Sequence, residues 1–134
     1  MNGFYEYLYK YGLHDCTMNC VEIKNNMLVC HFEQGVYYLN DFGKEMSNTS
    51  KCAMIINLDE KSKFEEQINV LKVYRNKRSD VKFEKFVEET AKSGFEIMVN
   101  YYSYFCNTIM LKGFIRNHEY EISISTVKKI SFCF

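Results

Sequence analysis

The sequence contains no tryptophan and no proline, and its six glycines are scattered at positions 3, 12, 35, 43, 94 and 113. The scatter excludes the glycine-rich loops that hold phosphate groups in the common nucleotide-binding folds. No window is long and apolar enough to span a bilayer. The first residues lack the basic segment and apolar run of a signal peptide. These absences predict a cytoplasmic chain.

The chain also lacks an excess of charge of either sign, since 17 basic residues balance 17 acidic residues. Binding to nucleic acid through its phosphates needs a basic face, and so does binding to anionic lipid. The one basic run, Lys72, Arg75, Lys77 and Arg78, is followed closely by acidic residues. We therefore expect neither nucleic acid nor a membrane as a partner.

What the sequence does have is the composition of a folded globular chain. Its 134 residues are 47% hydrophobic and 25% charged, which predicts a single domain spanning residues 1–134. Six cysteines occur, and in a reducing compartment we expect them to be free thiols that pack as small hydrophobic side chains.

Two hairpins are predicted from pairs of turn-forming residues. Asn25-Asn26 tolerates the positive φ of a two-residue turn, and that turn sets a register in which Val21 faces Cys30. A second turn is predicted at Asn117-His118, and it sets a register in which Ile115 faces Tyr120. Both registers place the apolar side chains of the paired strands mainly on one face.

The clearest predicted helix covers residues 81–93. Phe83, Phe86 and Val87 share an apolar stripe, Ser79 or Asp80 can cap the start, and Gly94 can end the helix. Residues 3–11 favour a helix on their end signals, with a strand as the alternative. Residues 61–78 are ambiguous between helix and strand, and residues 40–51 are rich in turn formers and predict a loop.

Together these elements predict an α+β fold. We expect an antiparallel, curved sheet of six to eight strands with two or three helices packed on its one apolar face. The predicted strands include residues 17–24, 27–33, 52–58, 95–102, 109–116 and 119–126, and a last strand around Ile130 and Phe132.

His14-Asp15-Cys16 has the residue types of a nucleophilic site. Cysteine catalysis needs a thiolate and a base that a third group orients, and such triads assemble in space rather than by adjacency in sequence. The alternative is a helix-to-strand junction in which Leu13 enters the core and His14 or Asp15 bonds nearby backbone. We expect no catalytic residue, and we keep His14 and Asp15 as candidate binding residues.

The cysteines and histidines do not predict a metal site. Cys16 and Cys20 bracket the start of a strand, and four strand residues span about 13 Å, too far for two ligands of one ion. In the predicted register Cys20 faces His31, whereas Cys30 points to the opposite face. We therefore expect no metal and no cofactor.

The stretch of residues 101–105 is rich in tyrosine. Strand alternation places Tyr102 and Tyr104 on the face opposite the core, where tyrosines favour protein recognition because they bury a large area at low entropic cost. The alternative is that a second layer, such as the N-terminal helix, covers them.

The segment Tyr11–Cys16, followed by Val21–Cys30, resembles the opening of some uncharacterised small bacterial domains, in which a helix leads to a His-Asp pair and then a hairpin. Some of these domains are assigned to the immunity proteins of polymorphic toxin systems. The resemblance covers only residues 11–30 and implies a non-enzymatic cytoplasmic domain that binds another protein. His14 and Asp15 stand at the matching positions.

Three functions follow as hypotheses. The first is a non-catalytic bacterial domain, immunity-like or regulatory, that binds another protein. The alternative is a small-molecule binder or enzyme with a pocket in the concave face of the sheet. The third is a homodimer formed through a sheet edge or the tyrosine surface.

Overall fold

The computed structural model describes residues 10–103 and 106–134, and the described chain is mostly β-structure. Strands make up 59% and helices 12%, and the strands form three antiparallel sheets of three, six and four strands. The prediction of one sheet of six to eight strands with two or three helices packed on one face is therefore wrong. The strands divide between separate sheets, so helices are not the main cover of the apolar faces.

The elements in chain order are as follows. The strands are β1 (Tyr11–Gly12), β2 (Thr17–Met18), β3 (Cys20–Lys24), β4 (Met27–Phe32), β5 (Tyr37–Leu39), β6 (Glu45–Asn48), β7 (Cys52–Leu58), β8 (Ile68–Tyr74), β9 (Lys77–Val81), β10 (Phe95–Ser103), β11 (Thr108–Ile115), β12 (His118–Ile124) and β13 (Val127–Cys133). The helices within the described ranges are α1 (Phe64–Gln67) and α2 (Phe83–Ser93).

The two larger sheets share one hydrophobic core. The four-stranded sheet, in the order β13-β7-β4-β3, contributes Leu28 and Ile56, which pair with each other. The six-stranded sheet, in the order β2-β10-β11-β12-β8-β9, contributes the paired residues Leu111 and Ile122. The apolar inner faces of the two sheets pack into the same cluster. Each sheet therefore buries much of the apolar surface that helices were expected to cover.

The helix predicted over residues 81–93 is confirmed as α2. Its Phe86 ring lies in the core, with its centroid 5.4 Å from that of Phe95 and 6.1 Å from that of Tyr120. The start differs from the prediction, because Asp80 belongs to β9 and Lys82 precedes the first helical residue. Gly94, with φ of 79°, ends the helix as predicted. Neither helix in the described ranges has the length and apolarity needed to cross a lipid bilayer.

The hairpin predicted around Asn25-Asn26 is confirmed as β3–β4. Asn25 has φ of 56°, the left-handed conformation that a two-residue turn requires. Val21 pairs with Cys30 and Cys20 with His31, as the predicted register states.

The second predicted hairpin is present as β11–β12, but its register differs by two residues. The turn lies at Arg116-Asn117, so Ile115 pairs with His118 rather than with Tyr120. Arg116 takes the positive φ of 57°, which arginine adopts less readily than asparagine. A two-residue shift keeps every side chain on its predicted face, because side chains alternate with a period of two.

Residues 61–78, which the sequence leaves ambiguous, contain both kinds of element. The short helix α1 leads directly into β8, and β9 returns antiparallel to it after a turn at Arg75-Asn76. Both turn residues have positive φ, 48° and 66°, as in a type I′ hairpin turn.

A β-bulge interrupts the pairing of β10 with β11. Ile97 pairs with Gly113 and Val99 pairs with Lys112, so Met98 is an extra residue on β10. A bulge of one residue reverses which face the following side chains occupy. Gly113 is required beside it, because a Cβ atom there would overlap the carbonyl oxygen of Glu96.

The smallest sheet has the order β1-β5-β6. Its strand β6 lies inside residues 40–51, so the predicted loop there is only the tip of a hairpin. Tyr11, the last residue of the helix predicted over residues 3–11, belongs to β1. The rest of that prediction falls mainly on residues 1–9, which lie outside the described residues.

Candidate functional site

The loop between β5 and β6 is held in one conformation by Asn40. Its side-chain Oδ1 accepts hydrogen bonds from the backbone N–H groups of Phe42 and Lys44, each at 2.9 Å. Its backbone N–H donates to the Lys44 carbonyl, and its carbonyl accepts from the Gly43 N–H, again at 2.9 Å. Gly43 takes φ of 76° at the tip. We call residues 40–44 the Phe42 tip.

Phe42 is 94% exposed at the centre of this tip. A phenylalanine side chain carries about 150–250 Å² of surface that water does not solvate favourably. Because the loop backbone is hydrogen-bonded, the Cα atom of Phe42 is held at a defined position at the tip. Such a side chain is suited to act as an anchor that enters a pocket on another molecule.

Further aromatic residues lie beside this hairpin. The Tyr11 ring centroid is 5.8 Å from that of Tyr38, 4.5 Å from that of Phe132 and 5.6 Å from that of Phe134. The register shift in the hairpin leaves Met46 and Ser47 opposite Tyr38. We call the following set the aromatic patch: Tyr11, Tyr38, Phe42, Met46, Phe132 and Phe134.

Three aromatic side chains of this patch are exposed to water. Tyr38 is 44% exposed and Phe134 is 56% exposed. With Phe42 they present on the order of 400 Å² of aromatic surface. The largest apolar patch on a typical monomer is about 300–600 Å² and is often functional. The aromatic patch therefore qualifies as a candidate binding surface.

His14 and Asp15, predicted as binding residues, lie next to the sheet that carries the patch. His14 Nδ1 is 3.3 Å from Asp15 Oδ2 and 3.6 Å from Oε1 of Glu45, the first residue of β6. Leu13 is buried in the core. The three charged or titratable side chains form a polar margin at one end of the sheet.

Cys16 does not join His14 and Asp15 in a nucleophilic arrangement. Its thiol is buried and lies 3.6 Å from the Gly12 carbonyl oxygen and 3.7 Å from that of His14. Burial raises the pKa of Cys16 to about 12, so the thiol stays protonated at neutral pH. The three residues are adjacent in sequence, but they are not arranged in space as thiolate, base and orienting group.

Tyr102 lies on the opposite face from the one predicted. The bulge at Met98 reverses the alternation, so Tyr102 packs against the core and Tyr101 is exposed instead. Lys112 Nζ lies 5.6 Å from the Tyr101 ring centroid. Tyr104, the second predicted tyrosine, lies outside the described residues.

The cysteines and histidines do not assemble around a common point. Within residues 10–103 and 106–134, no three His, Cys, Asp or Glu side chains are placed to hold a metal ion. His31 Nε2 lies 3.1 Å from Glu22 Oε1, and Cys30 is buried on the other face of its strand. The side chains of the basic run at residues 72–78 do not gather at one place. Arg78 donates a hydrogen bond to Glu121, whereas Arg75 lies in the β8–β9 turn.

Three exposed side chains of the aromatic patch were not predicted from the sequence. Phe42, Tyr38 and Met46 all fall in or beside the segment predicted as a loop. A signal was available, because Asn40 can form an Asx turn and Gly43 can take positive φ. An aromatic residue between two turn formers indicates an exposed tip rather than a core position.

The chain has no match among known protein families, curated proteins or solved structures. The resemblance of residues 11–30 to small bacterial domains therefore stays a prediction that rests on those residues alone.

Proposed function

We propose that this chain is a non-catalytic domain of the bacterial cytoplasm that binds another protein through the aromatic patch, in an immunity-like or regulatory role. The observation that carries the proposal is Phe42, an aromatic side chain that is 94% exposed on a hydrogen-bonded tip. Exposure of an aromatic ring to water is unfavourable in free energy, and contact with a partner would remove the ring from water.

The composition of the patch supports a protein as the partner. Tyrosine, phenylalanine and methionine are enriched in the buried centres of protein interfaces. A standard interface buries about 800 Å² on each side, so an aromatic area on the order of 400 Å² would supply its apolar centre. His14, Asp15 and Glu45 would supply part of the polar rim that surrounds such a centre.

The thiols support a reducing compartment. All six cysteines are unpaired, and Cys20, Cys106 and Cys133 are exposed. Exposed free thiols are typical of proteins that work where glutathione keeps cysteine reduced. The protonated, buried thiol of Cys16 supports a role without cysteine catalysis.

The test is affinity capture with matched variants. The tagged chain, its Phe42→Ser variant and its Tyr74→Ser variant are each incubated with lysate of the source cell, and retained proteins are quantified by mass spectrometry. Tyr74 is a suitable control because it is 65% exposed but lies on β8, in a different sheet. We expect one stoichiometric partner that wild type and Tyr74→Ser retain and that Phe42→Ser loses.

Two outcomes would count against the proposal. A partner retained equally by Phe42→Ser would place the binding surface elsewhere. A monomer–dimer equilibrium in analytical ultracentrifugation that Phe42→Ser abolishes would make a second copy of this chain, rather than another protein, the occupant of the patch.

A further inference from the structure

Two hairpin turns lie side by side at one end of the six-stranded sheet. Strands β8 and β12 are neighbours, and Val73 pairs with Glu119, so the end of β8 lies beside the start of β12. One turn follows β8 and the other precedes β12. Because neighbouring strands are about 4.8 Å apart, the centres of the two turns are about 10 Å apart. We call residues 74–77 and 116–118 the paired turns.

Both turns contain an arginine in the left-handed conformation. Arg75 has φ of 48° and Arg116 has φ of 57°, and an asparagine follows each of them. Glycine and asparagine adopt this conformation readily, whereas the Cβ atom of most other residues crowds the following carbonyl oxygen. A residue type that disfavours the local backbone, placed at two adjacent turns, indicates that its side chain serves something other than the fold.

The paired turns concentrate positive charge. Arg75, Lys77 and Arg116 are exposed, and none of them has a carboxylate partner among residues 10–103 and 106–134. Only Arg75 and Lys77 come from the basic run, because Lys72 and Arg78 interact elsewhere. The fold therefore joins two cations of one hairpin with one cation of the next.

Carboxylates of the adjoining elements are directed at other cations. On β12, Glu121 accepts two hydrogen bonds of 3.1 Å from Arg78, and Glu119 also interacts electrostatically with Arg78. On α2, Glu89 Oε1 lies 3.2 Å from Lys85 Nζ. The charge of the whole chain is balanced, but the charge of the paired turns is not.

An exposed aromatic ring lies among these cations. Tyr74 is 65% exposed, and the guanidinium carbon of Arg75 is 5.2 Å from its ring centroid. The Nε atom of Arg116 donates a hydrogen bond of 2.9 Å to Ser93 Oγ, which orients this guanidinium group. Guanidinium groups match phosphate oxygens in geometry, and an exposed ring offers a surface on which a base can stack.

We propose that the paired turns bind single-stranded nucleic acid. Arg75, Lys77 and Arg116 would contact phosphates, and Tyr74 would stack on a base. The even balance of charge over the chain is the basis for expecting no nucleic acid, and this surface departs from that balance. The paired turns belong to a different sheet from the Phe42 tip, so this binding is independent of the aromatic patch.

The test uses a fluorescent oligouridylate of about 12 nucleotides, within the length that such surfaces cover. Its binding to the full chain is measured by fluorescence anisotropy at several salt concentrations. Three neutralised phosphates predict that raising NaCl from about 50 to about 200 mM increases the Kd about 20-fold. An oligoglutamate of equal length, which carries charge but no bases, should bind about fivefold more weakly or worse.

Variants separate the roles of charge and ring. Arg75→Asn and Arg116→Asn each remove one cation and place a residue suited to the left-handed conformation. We expect each to reduce the salt effect to about sevenfold and to keep or raise the Tm. Tyr74→Ser should weaken binding about fivefold or more without changing the salt effect. Lys129→Asn, an equal loss of charge at an exposed position of β13, should bind as wild type does.

Three results would overturn the proposal. Equal Kd values for oligouridylate and oligoglutamate would make the paired turns a surface for any polyanion, such as an acidic protein segment. Equal weakening by Lys129→Asn and Arg75→Asn would show that net charge sets the affinity. A lower Tm in both arginine variants would show that these side chains serve the fold. Phe42→Ser should leave oligouridylate binding unchanged, so failure here is distinguishable from failure of protein binding.

Discussion

Two buried threonines show how differently one hydroxyl group can contribute to stability. Thr49 Oγ1 accepts a hydrogen bond from the Val36 N–H at 3.0 Å and donates to the Ser50 carbonyl oxygen at 2.8 Å. Thr90 is fully buried in α2, and its hydroxyl has no hydrogen-bond partner among residues 10–103 and 106–134. A buried hydroxyl without a partner carries a desolvation penalty that a methyl group of the same shape does not.

The same substitution should therefore have opposite effects at the two sites. We expect Thr90→Val to raise the free energy of unfolding by about 1 kcal/mol and Thr49→Val to lower it by about 1–2 kcal/mol. Urea denaturation at neutral pH measures both. If Thr90→Val lowers stability as much as Thr49→Val does, the Thr90 hydroxyl has a partner after all.

Glu121 is the buried carboxylate of the six-stranded sheet, with a side chain only 7% exposed. Arg78 holds it with two hydrogen bonds of 3.1 Å, from Nε and Nη2, and Lys112 Nζ lies 3.6 Å away. The hydrogen bonds from Arg78 are the main reason that the pKa of Glu121 falls below its ordinary value of 4.5.

This lowered pKa predicts a pH-dependent contribution to stability. Because the folded-state pKa lies below the unfolded value, the carboxylate stabilises the fold above about pH 4.5 and loses that effect as the pH falls through the folded-state pKa. We expect Glu121→Gln to be about 1 kcal/mol less stable than wild type at pH 7, with the difference shrinking in more acidic solution. A difference that stays constant from neutral pH to acid would contradict the assignment. Urea denaturation at a series of pH values gives the answer.

At the scale of elements, the bulge in β10 determines which side chains the six-stranded sheet presents. The close approach of Glu96 and Ile97 to Gly113 leaves no room for a side chain there. Gly43, at the Phe42 tip, has positive φ but open space around its Cβ position. The two glycines are thus required for different reasons.

Alanine substitutions should distinguish these reasons. Gly113→Ala should lower the free energy of unfolding by about 3 kcal/mol or more, because backbone atoms of β10 must move. Gly43→Ala should lower it by only about 1 kcal/mol, the penalty of a left-handed conformation without a clash. Chemical denaturation of both variants tests the account of the bulge, and an effect of Gly113→Ala no larger than that of Gly43→Ala would contradict it.

How far the sequence predicts an element depends on whether its signal is local. The turn at Asn25-Asn26 and the end of α2 at Gly94 are predicted correctly, because residues that tolerate positive φ occupy those positions. The turn at Arg116 is misplaced because arginine gives no such signal. The bulge at Met98 has no signature of its own, so the faces of Tyr101 and Tyr102 are exchanged.

At the scale of the whole molecule, the same alternating pattern occurs in strands of one large sheet and of two separate sheets. Each strand shows one apolar and one polar face in either case. The sequence therefore identifies most strands but not their division between sheets, which depends on contacts between residues far apart in the chain. The sequence does not predict the aromatic patch for the same reason, since Tyr11 contacts Phe132 and Phe134 only in the folded chain.

The fold also divides the six thiols into two classes. Cys20, Cys106 and Cys133 are exposed, and Cys16, Cys30 and Cys52 are buried. Burial raises the pKa of Cys16 and of Cys30 to about 12, and it raises that of Cys52 as well. We expect a thiol-reactive disulfide reagent at pH 8 to label the exposed class promptly and the buried class only after unfolding in guanidinium. Prompt labelling of all six would contradict the described core.

We propose that the aromatic patch is the surface through which this chain binds another protein, with Phe42 as the anchor. Calorimetric titration of the captured partner with wild type, Phe42→Ser and Tyr74→Ser tests it most directly. We predict that Phe42→Ser raises the Kd by about 30-fold or more, the loss typical of a central aromatic anchor, with an unchanged Tm, and that Tyr74→Ser binds as wild type does. Equal Kd values for wild type and Phe42→Ser would contradict the claim.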